Sequence, residues 1–395
     1  MNSSLMSRTF GAILLVASCC IGTAMLGLPV LSAVPGFLPS TSMLVIGWGL
    51  MCASGLLLLE VNLSFQDEVS LLTLVERTLG RGAKFVCWVL YLFLFYTLMV
   101  AFVTGSGLLV GDALERGMRV HVQPGIGGAV CALLLGVWIF RGVQKAERVN
   151  RVLMGGLVLC YVALFAVGVP HVQTEQLFSH NWKAAPLLLP VVLVSFGFHN
   201  LIPTLVGYLE RDRRSLVWSM ILGSLLPLLV YVSWEGLILG LVPRDGFQTA
   251  LNHGEMATEV LKNGSTGVFV AELAQGFAFF AITTSFLGVA LSFVDFLADG
   301  LGVAKTALGK SGLLVLVLVP PVLAAFLHPD IFLQALGMAG GYGAATLFGF
   351  FPVWMAWKIR NQKNPFHSQI LPGGKFVLLV LFFFTAWIVF LQTQG

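Results

Sequence analysis

Two short segments hold the residue types best able to do chemistry in an otherwise apolar chain. They are Gly22-Thr23-Ala24-Met25-Leu26-Gly27-Leu28-Pro29 and Ser195-Phe196-Gly197-Phe198-His199-Asn200-Leu201-Ile202-Pro203. Each sets a proline six or seven residues after a glycine. Proline removes a backbone donor and clashes with the preceding turn, while glycine accepts non-helical angles. A helix interrupted there exposes amides at one half-end and carbonyls at the other. Free amides at a helix N-terminus suit a carboxylate, and free carbonyls suit an ammonium or a small cation. Together they suit a zwitterion, and an α-amino acid is one. His199 lies inside the second segment, whereas the other six of the seven histidines fall in loops or at span ends. It is either a group that takes part in proton coupling or a neutral ring satisfying exposed backbone.

Other polar residues stand in apolar surroundings. Thr283, Thr284 and Ser285 form a hydroxyl cluster that either faces an ion or bonds back to its own helix. The acids within or near apolar runs are Glu60, Glu235, Glu272, Asp295 and Asp299. An ionisable group at membrane depth is costly and needs a partner or a cavity. For Glu60 and Asp295 a network with neighbouring arginines competes with proton carriage, and Glu235 is a candidate proton entry site. Tyr91, Phe95, Tyr96 and Thr97 follow one another along one run, and Tyr96 and Thr97 sit near its centre. ATP-driven chemistry is not indicated, because no GxxxxGK[ST] loop is present. Neither an HExxH motif nor a Cys/His cluster points to a metalloenzyme. Ser195 and His199 are four apart, a helical spacing that imitates a dyad, but Gly197 and Pro203 disrupt the helix such a dyad needs. No enzyme, cofactor or nucleic-acid partner is expected.

These residues must be held by membrane helices. The chain is 57% hydrophobic and 10% charged, against roughly 25% charged in an average soluble domain. Residues 9–59 carry no charge at all, enough for two spans at about 20 residues each. The apolar runs predict spans at about 9–35, 41–65, 84–113, 122–140, 151–170, 184–209, 215–240, 266–298, 311–328, 331–357 and 374–393. With the N-terminus cytoplasmic, 17 of the 22 Lys and Arg fall in inner segments and 5 in outer ones. That bias orients the chain N-terminus inside and places the C-terminus on the periplasmic side. It also accounts for the net charge of +4 without an anionic partner. The six cysteines all lie in apolar segments and read as packing residues. Val16-Ala17-Ser18-Cys19 imitates a lipoprotein cleavage site, but the apolar run continues to Pro35 and favours an uncleaved first helix. The outer loop 241–265 is either a short gating helix or a solvated loop.

The expected fold is therefore an all-α polytopic membrane protein of about eleven transmembrane helices. Breaks in helices 1 and 6 are the signature of two five-helix repeats of opposite orientation, with the binding site between them. Residues 9–170 form the first repeat and 184–358 the second. Helix 374–393 is added peripherally, and the whole is a single membrane transport domain.

Three motifs extend the reading. GTAMLGLP in span 1, SFGFHNLIPTLVGYLERD in span 6 and AITTSFLGVALSFVDFLADGL at 281–301 resemble the hydroxy/aromatic amino acid permease family of the amino acid–polyamine–organocation superfamily. The third is most similar to the tyrosine-specific permeases. The resemblance spans essentially the whole chain. It implies a proton-driven symporter of the five-plus-five inverted-repeat (LeuT-type) fold in a bacterial inner membrane, importing tyrosine. Tryptophan and serine/threonine are the alternative substrates within the family. Gly22 and Thr23, with Ala24 beside them, would offer amides to the substrate carboxylate. Ser195, Phe196 and Gly197 would offer carbonyls to its ammonium, and Phe198 and His199 would border an aromatic side chain, His199 within reach of a tyrosine hydroxyl. In sodium-coupled relatives, hydroxyls at the positions of Thr284 and Ser285 hold a sodium ion together with carbonyls of span 1. Some proton-coupled relatives place a lysine from span 5 there. Span 5 here, read as 152–170, has no lysine, which keeps sodium coupling open. No obligatory protein partner is implied beyond substrate, coupling ion and bilayer.

Overall fold

The computed structural model describes residues 3–67, 69–119, 122–178, 180–263, 268–304, 306–362 and 369–394. His121, His367, Lys305 and Lys363 of the histidines and basic residues counted above lie outside them. The described elements are helical, with no strand among them.

The first apolar run is bent. α1 (Ser3–Cys20) and α2 (Ala24–Ser32) meet at 57° across Ile21-Gly22-Thr23. α3 (Phe37–Leu63) follows, then α4 (Leu71–Leu79), a short helix that sequence reasoning did not foresee. α4 buries Leu71, Leu74, Val75 and Thr78, the one-face spacing of an amphipathic helix, and the Ser70 hydroxyl caps it by accepting from Thr73 N. α5 (Arg81–Met118), α6 (Pro124–Phe140) and α7 (Val143–Gly168) complete the first half, and a single turn, α8 (Thr174–Leu177), crosses the surface. The sixth span is interrupted. Its α9 (Leu189–Ser195) and α10 (Ile202–Tyr208) are separated by Phe196-Gly197-Phe198 and a 3-10 turn at His199–Leu201. α11 (Arg213–Leu241) is continuous. The loop expected at 241–265 folds as two short helices, α12 (Phe247–His253) and α13 (Ala257–Asn263). α14 (Val268–Leu301) and α15 (Ala307–Leu327) are regular. The next span runs from α16 (Phe332–Met338) through a π-helical stretch, Ala339–Phe350, into α17 (Phe351–Arg360), and α18 (Gly374–Gln394) closes the chain.

Nine of these helices are long and apolar enough to cross a bilayer, or ten when α1 and α2 count as one bent span. The expected span at 122–140 is α6, with 17 residues. At 1.5 Å per residue it reaches about 25 Å, short of the roughly 30 Å hydrocarbon core.

Packing gathers the interrupted helices at the centre. α9 lies against the π-helical stretch, α3 and α2, while α11 covers α1 and α2, and α14 packs on α5 and α7. At one end of the bundle the basic segments meet. Arg8 pairs with Glu210, and Arg211 holds the carbonyls of Leu63 (3.0 Å), Phe65 (2.6 Å) and Gln66 (3.3 Å). Arg360 makes a two-pronged pair with buried Glu60, at 2.7 and 2.8 Å. The opposite end holds α12, α13 and the ion pair of Lys262 with Asp112.

Candidate functional site

The two breaks face each other, and one side chain ties them. Tyr231 of α11, fully buried, donates its hydroxyl to the carbonyl of Cys20 at the end of α1 (2.5 Å) and to that of Ser195 at the end of α9 (3.1 Å). Next to it, Trp234 Nε1 donates to the Met25 carbonyl of α2 (2.7 Å). α2 is capped from α14, where the Ser285 hydroxyl accepts from the Thr23 amide at 3.0 Å. The Thr23 hydroxyl reaches the Ala281 carbonyl at 3.3 Å. A Cβ on Gly22 would collide with the Ser285 oxygen, so a glycine is needed for this approach. Backbone freed by the two breaks at membrane depth is thus satisfied by protein, the condition on which a membrane tolerates it.

The expected substrate residues come together here with one exception. Gly22, Thr23 and Ala24 lie at the first break. Ser195, Phe196, Gly197, Phe198 and His199 lie at the second, and Cys19 Sγ approaches the Gly197 carbonyl at 4.0 Å across the gap. Ser195 bonds its own helix at Val191 O (2.8 Å), so its carbonyl, not its hydroxyl, faces Tyr231. Phe196 meets the Tyr231 ring edge-on at 5.4 Å. His199 is sandwiched between Phe198 (5.1 Å) and Phe348 (4.7 Å, 9° between planes). Neither of its ring nitrogens has a hydrogen-bond partner. Tyr96 is the exception: its hydroxyl donates to Leu316 O on α15, and its ring stands edge-on to Phe293 at 4.8 Å. Its neighbour Tyr91 reaches the break instead, donating to Asn200 Oδ1 at 2.6 Å and standing edge-on to Phe348 at 6.3 Å.

Of the ion-coupling candidates, Thr283, Thr284 and Ser285 each donate to a carbonyl one turn back, at 2.6–2.8 Å. This is the back-bonding alternative; it leaves lone pairs on Thr283 and Thr284 available, while the Ser285 oxygen also accepts from the Thr23 amide. α7 begins at Val143, earlier than the expected 151, and so includes Lys145, which is exposed. Where α7 crosses α14 it presents Gly156 to the Phe280 ring. Glu235 is fully buried beside Trp234 on α11 with no hydrogen bond to either oxygen; the Ser32 hydroxyl of α2 is a polar neighbour. Asp295 lies away from the breaks, lining a cavity of about 170 Å³ with Lys310, Gly142 and Leu314.

Tyr231, Trp234, Tyr91, Asn200 and Phe348 were not foreseen as site residues. Tyr91 carried a signal, as a polar aromatic in a central run, and Asn200 lies inside the second interrupted segment. Tyr231 and Trp234 reach carbonyls of the first span, Cys20 and Met25, more than two hundred residues away in sequence, and no local pattern reveals those contacts.

A bundle of apolar helices, two of them opened at facing breaks lined with backbone and aromatic rings, is built as a membrane permease and not as an enzyme. The chain belongs to the tryptophan/tyrosine permease family, whose model matches residues 6–391. It is 30% identical to a tryptophan-specific transport protein of Shigella flexneri, over 94% of this chain and 92% of that one. It is 28% identical to tyrosine-specific transport system 1 of Haemophilus influenzae, over 95% and 94%. It is 27% identical to a low affinity tryptophan permease of Escherichia coli, over 95% and 92%. The protein is accordingly a multi-pass membrane protein of an aromatic amino acid permease family.

Proposed function

We propose that the protein is a secondary active symporter that imports an aromatic amino acid, tyrosine first, across a bacterial inner membrane by alternating access. Its N-terminus is cytoplasmic, and residues 9–170 and 184–358 act as two inverted five-helix repeats within one transport domain. The observation that carries this reading is Tyr231, which joins carbonyls of both breaks and holds the place of an ammonium group. A substrate ammonium takes over the Ser195 carbonyl, with the Phe196 and Gly197 carbonyls next to it. The substrate carboxylate meets the α2 N-terminus at Gly22, Thr23 and Ala24, displacing the Ser285 hydroxyl from the Thr23 amide. The substrate ring enters among Phe198, His199, Phe348 and Tyr91, where offset and edge contacts favour an aromatic group. Tryptophan is the second reading, supported by the 30% identity to a tryptophan-specific transport protein.

Coupling is assigned to a proton carried by Glu235. Glu235 is fully buried at membrane depth with neither oxygen hydrogen-bonded, and an ionisable group so placed is costly unless it serves a cavity or a coupling ion, which makes it the candidate carrier. Sodium at Thr284 and Ser285 is the competing assignment. Uptake of labelled tyrosine, tryptophan, phenylalanine and serine into proteoliposomes, under separate proton and sodium gradients, decides among them. Proton-driven accumulation of tyrosine is expected, and Glu235→Gln should abolish accumulation while leaving tyrosine exchange. Tyrosine uptake that ignores every ion gradient would overturn symport.

A further inference from the structure

The end of the bundle opposite the arginine-rich one carries a buried charged cluster that the breaks do not use. Lys262 Nζ on α13 lies 2.5 Å from Asp112 Oδ2 on α5 and 3.6 Å from Glu259 Oε2 on its own helix. Gln275 Nε2 of α14 donates to Glu259 Oε1 at 2.8 Å and reaches Asp112 Oδ2 at 3.4 Å. The Glu259 side chain is only 8% exposed. Three elements are therefore tied through one lysine shared by two carboxylates.

What the cluster fastens is the α12–α13 hairpin. Its buried side chains, among them Phe247, Ala250, Met256, Val260 and Leu261, turn inward, and both helices rest on α2, the half-helix beyond the first break. The hairpin pivots at Gly254, whose φ of 62° is left-handed and whose Cβ position is filled by the Asp330 carbonyl. Its apolar face holds it down, and the cluster is its polar anchor to α5 and α14.

We propose that the Asp112–Lys262–Glu259–Gln275 cluster is a proton-operated latch that fastens the α12–α13 hairpin over α2 when Glu259 is protonated and loosens it when Glu259 is ionised. This rests on the transport reading above and extends it to how the outer face opens. Protonated, Glu259 leaves Lys262 to Asp112 and keeps its bond from Gln275. Ionised, it sets a second negative charge beside Asp112 in a site where the Glu259 side chain is only 8% exposed and that of Asp112 16%. Burial, joined by the Asp112 charge, accordingly raises the Glu259 carboxyl to about 7, against the lowering effects of Gln275 and Lys262. A carboxyl raised in the closed form stabilises closure below its ordinary range, and the gain is lost as pH rises through about 7. The surrounding elements also carry titratable groups: Glu115 on α5, Glu235 on α11, His253 on α12 and Glu272 on α14, while α2 has none. The groups that act on Glu259 by contact or charge, among the described residues, are Asp112, Lys262 and the Gln275 amide.

Amide hydrogen exchange of residues 247–263 in the full-length reconstituted protein, corrected for the intrinsic pH dependence of exchange, tests the latch without any substrate. Wild-type protection should be highest at or below the ordinary carboxylate range, fall about tenfold per unit as pH rises from there to about 7, the slope of a single proton, and level off above it. Glu259→Gln should stay protected at every pH. Asp112→Asn, which removes the like charge, should keep the transition and move it to lower pH. A wild type without a transition, a transition retained in Glu259→Gln, or an unmoved midpoint in Asp112→Asn each overturns the latch. Tyrosine and tryptophan exchange measured on the same vesicles reports on the transport reading separately. A wild type that carries neither substrate sinks that reading, while the exchange data still judge the latch.

Discussion

Replacing Tyr231 by Phe removes a single hydroxyl and strips the carbonyls of Cys20 and Ser195 of their shared donor. A buried acceptor left unpaired costs about 1–3 kcal/mol. Tyr231→Phe should therefore lower the melting temperature of the substrate-free protein. An added aromatic amino acid should raise it by more than in wild type, because the ammonium then satisfies an empty acceptor. Thermal unfolding with and without tyrosine measures both quantities; equal ligand-induced shifts would mean that Tyr231 and the ammonium do not compete. His199 poses the converse problem, since its nitrogens are unpartnered and its ring is stacked on Phe198 and Phe348. His199→Ala opens the aromatic wall and should raise KM for tyrosine and tryptophan at least several-fold. Unchanged kinetics for both substrates removes His199 from the site.

At the scale of elements, the breaks were legible in the sequence because glycine and proline alter the backbone itself, and a backbone rule needs no knowledge of neighbours. Which face of an intact helix turns toward the breaks was not legible in the same way. Tyr91 and Tyr96 are five residues apart, about 140° around an α-helix, so only one of them can point inward, and the composition of the run does not say which. The π-helical stretch Ala339–Phe350 was hidden for a related reason: its glycines suit close packing and widened turns equally well. α6 shows how much such packing carries. The Cβ of a residue replacing Gly107 on α5 would overlap the Pro124 carbonyl, and Gly127 lies under the Gly107 carbonyl. A helix too short to span comfortably is thus seated backbone-to-backbone, as small residues permit. Gly107→Ala should push α6 off α5 and cost about 1–3 kcal/mol. Gly117→Ala on the same helix, with nothing within 4 Å of the added methyl, serves as the neutral control. Thermal unfolding of the two variants separates close contact from a general effect of losing glycine.

Across the whole molecule, the excess of basic residues in alternate loops anticipated that segments around 8, 77–84, 211–214 and 358–375 would share one face, and their contacts place several of them together. The sequence did not disclose that these charges also clamp the bundle. Glu210 and Arg211, both left-handed at φ 51° and 61°, turn the chain sharply after the interrupted span so that Arg211 can cap the end of α3. The strongest clamp is the Glu60–Arg360 pair. Its carboxylate also accepts from the amides of Ile370 (2.9 Å) and Leu371 (3.4 Å), and its guanidinium donates to the carbonyls of Leu371 and Gly374. One ion pair thus joins α3, the end of α17 and the strap leading into α18. The side chains are 0% and 7% exposed, so removing one charge strands the other in a dry site, which costs about 3–5 kcal/mol. Arg360→Met should therefore lower the melting temperature sharply, and Glu60→Gln should do so less, because the amide still accepts hydrogen bonds. The double variant Glu60→Leu/Arg360→Met should recover part of the loss, as apolar replacement of a buried pair commonly does. It should still transport more slowly if the strap keeps this end closed while the other opens. Recovery of stability together with wild-type uptake would reduce the pair to a packing device; recovery with impaired uptake would make it part of the moving frame.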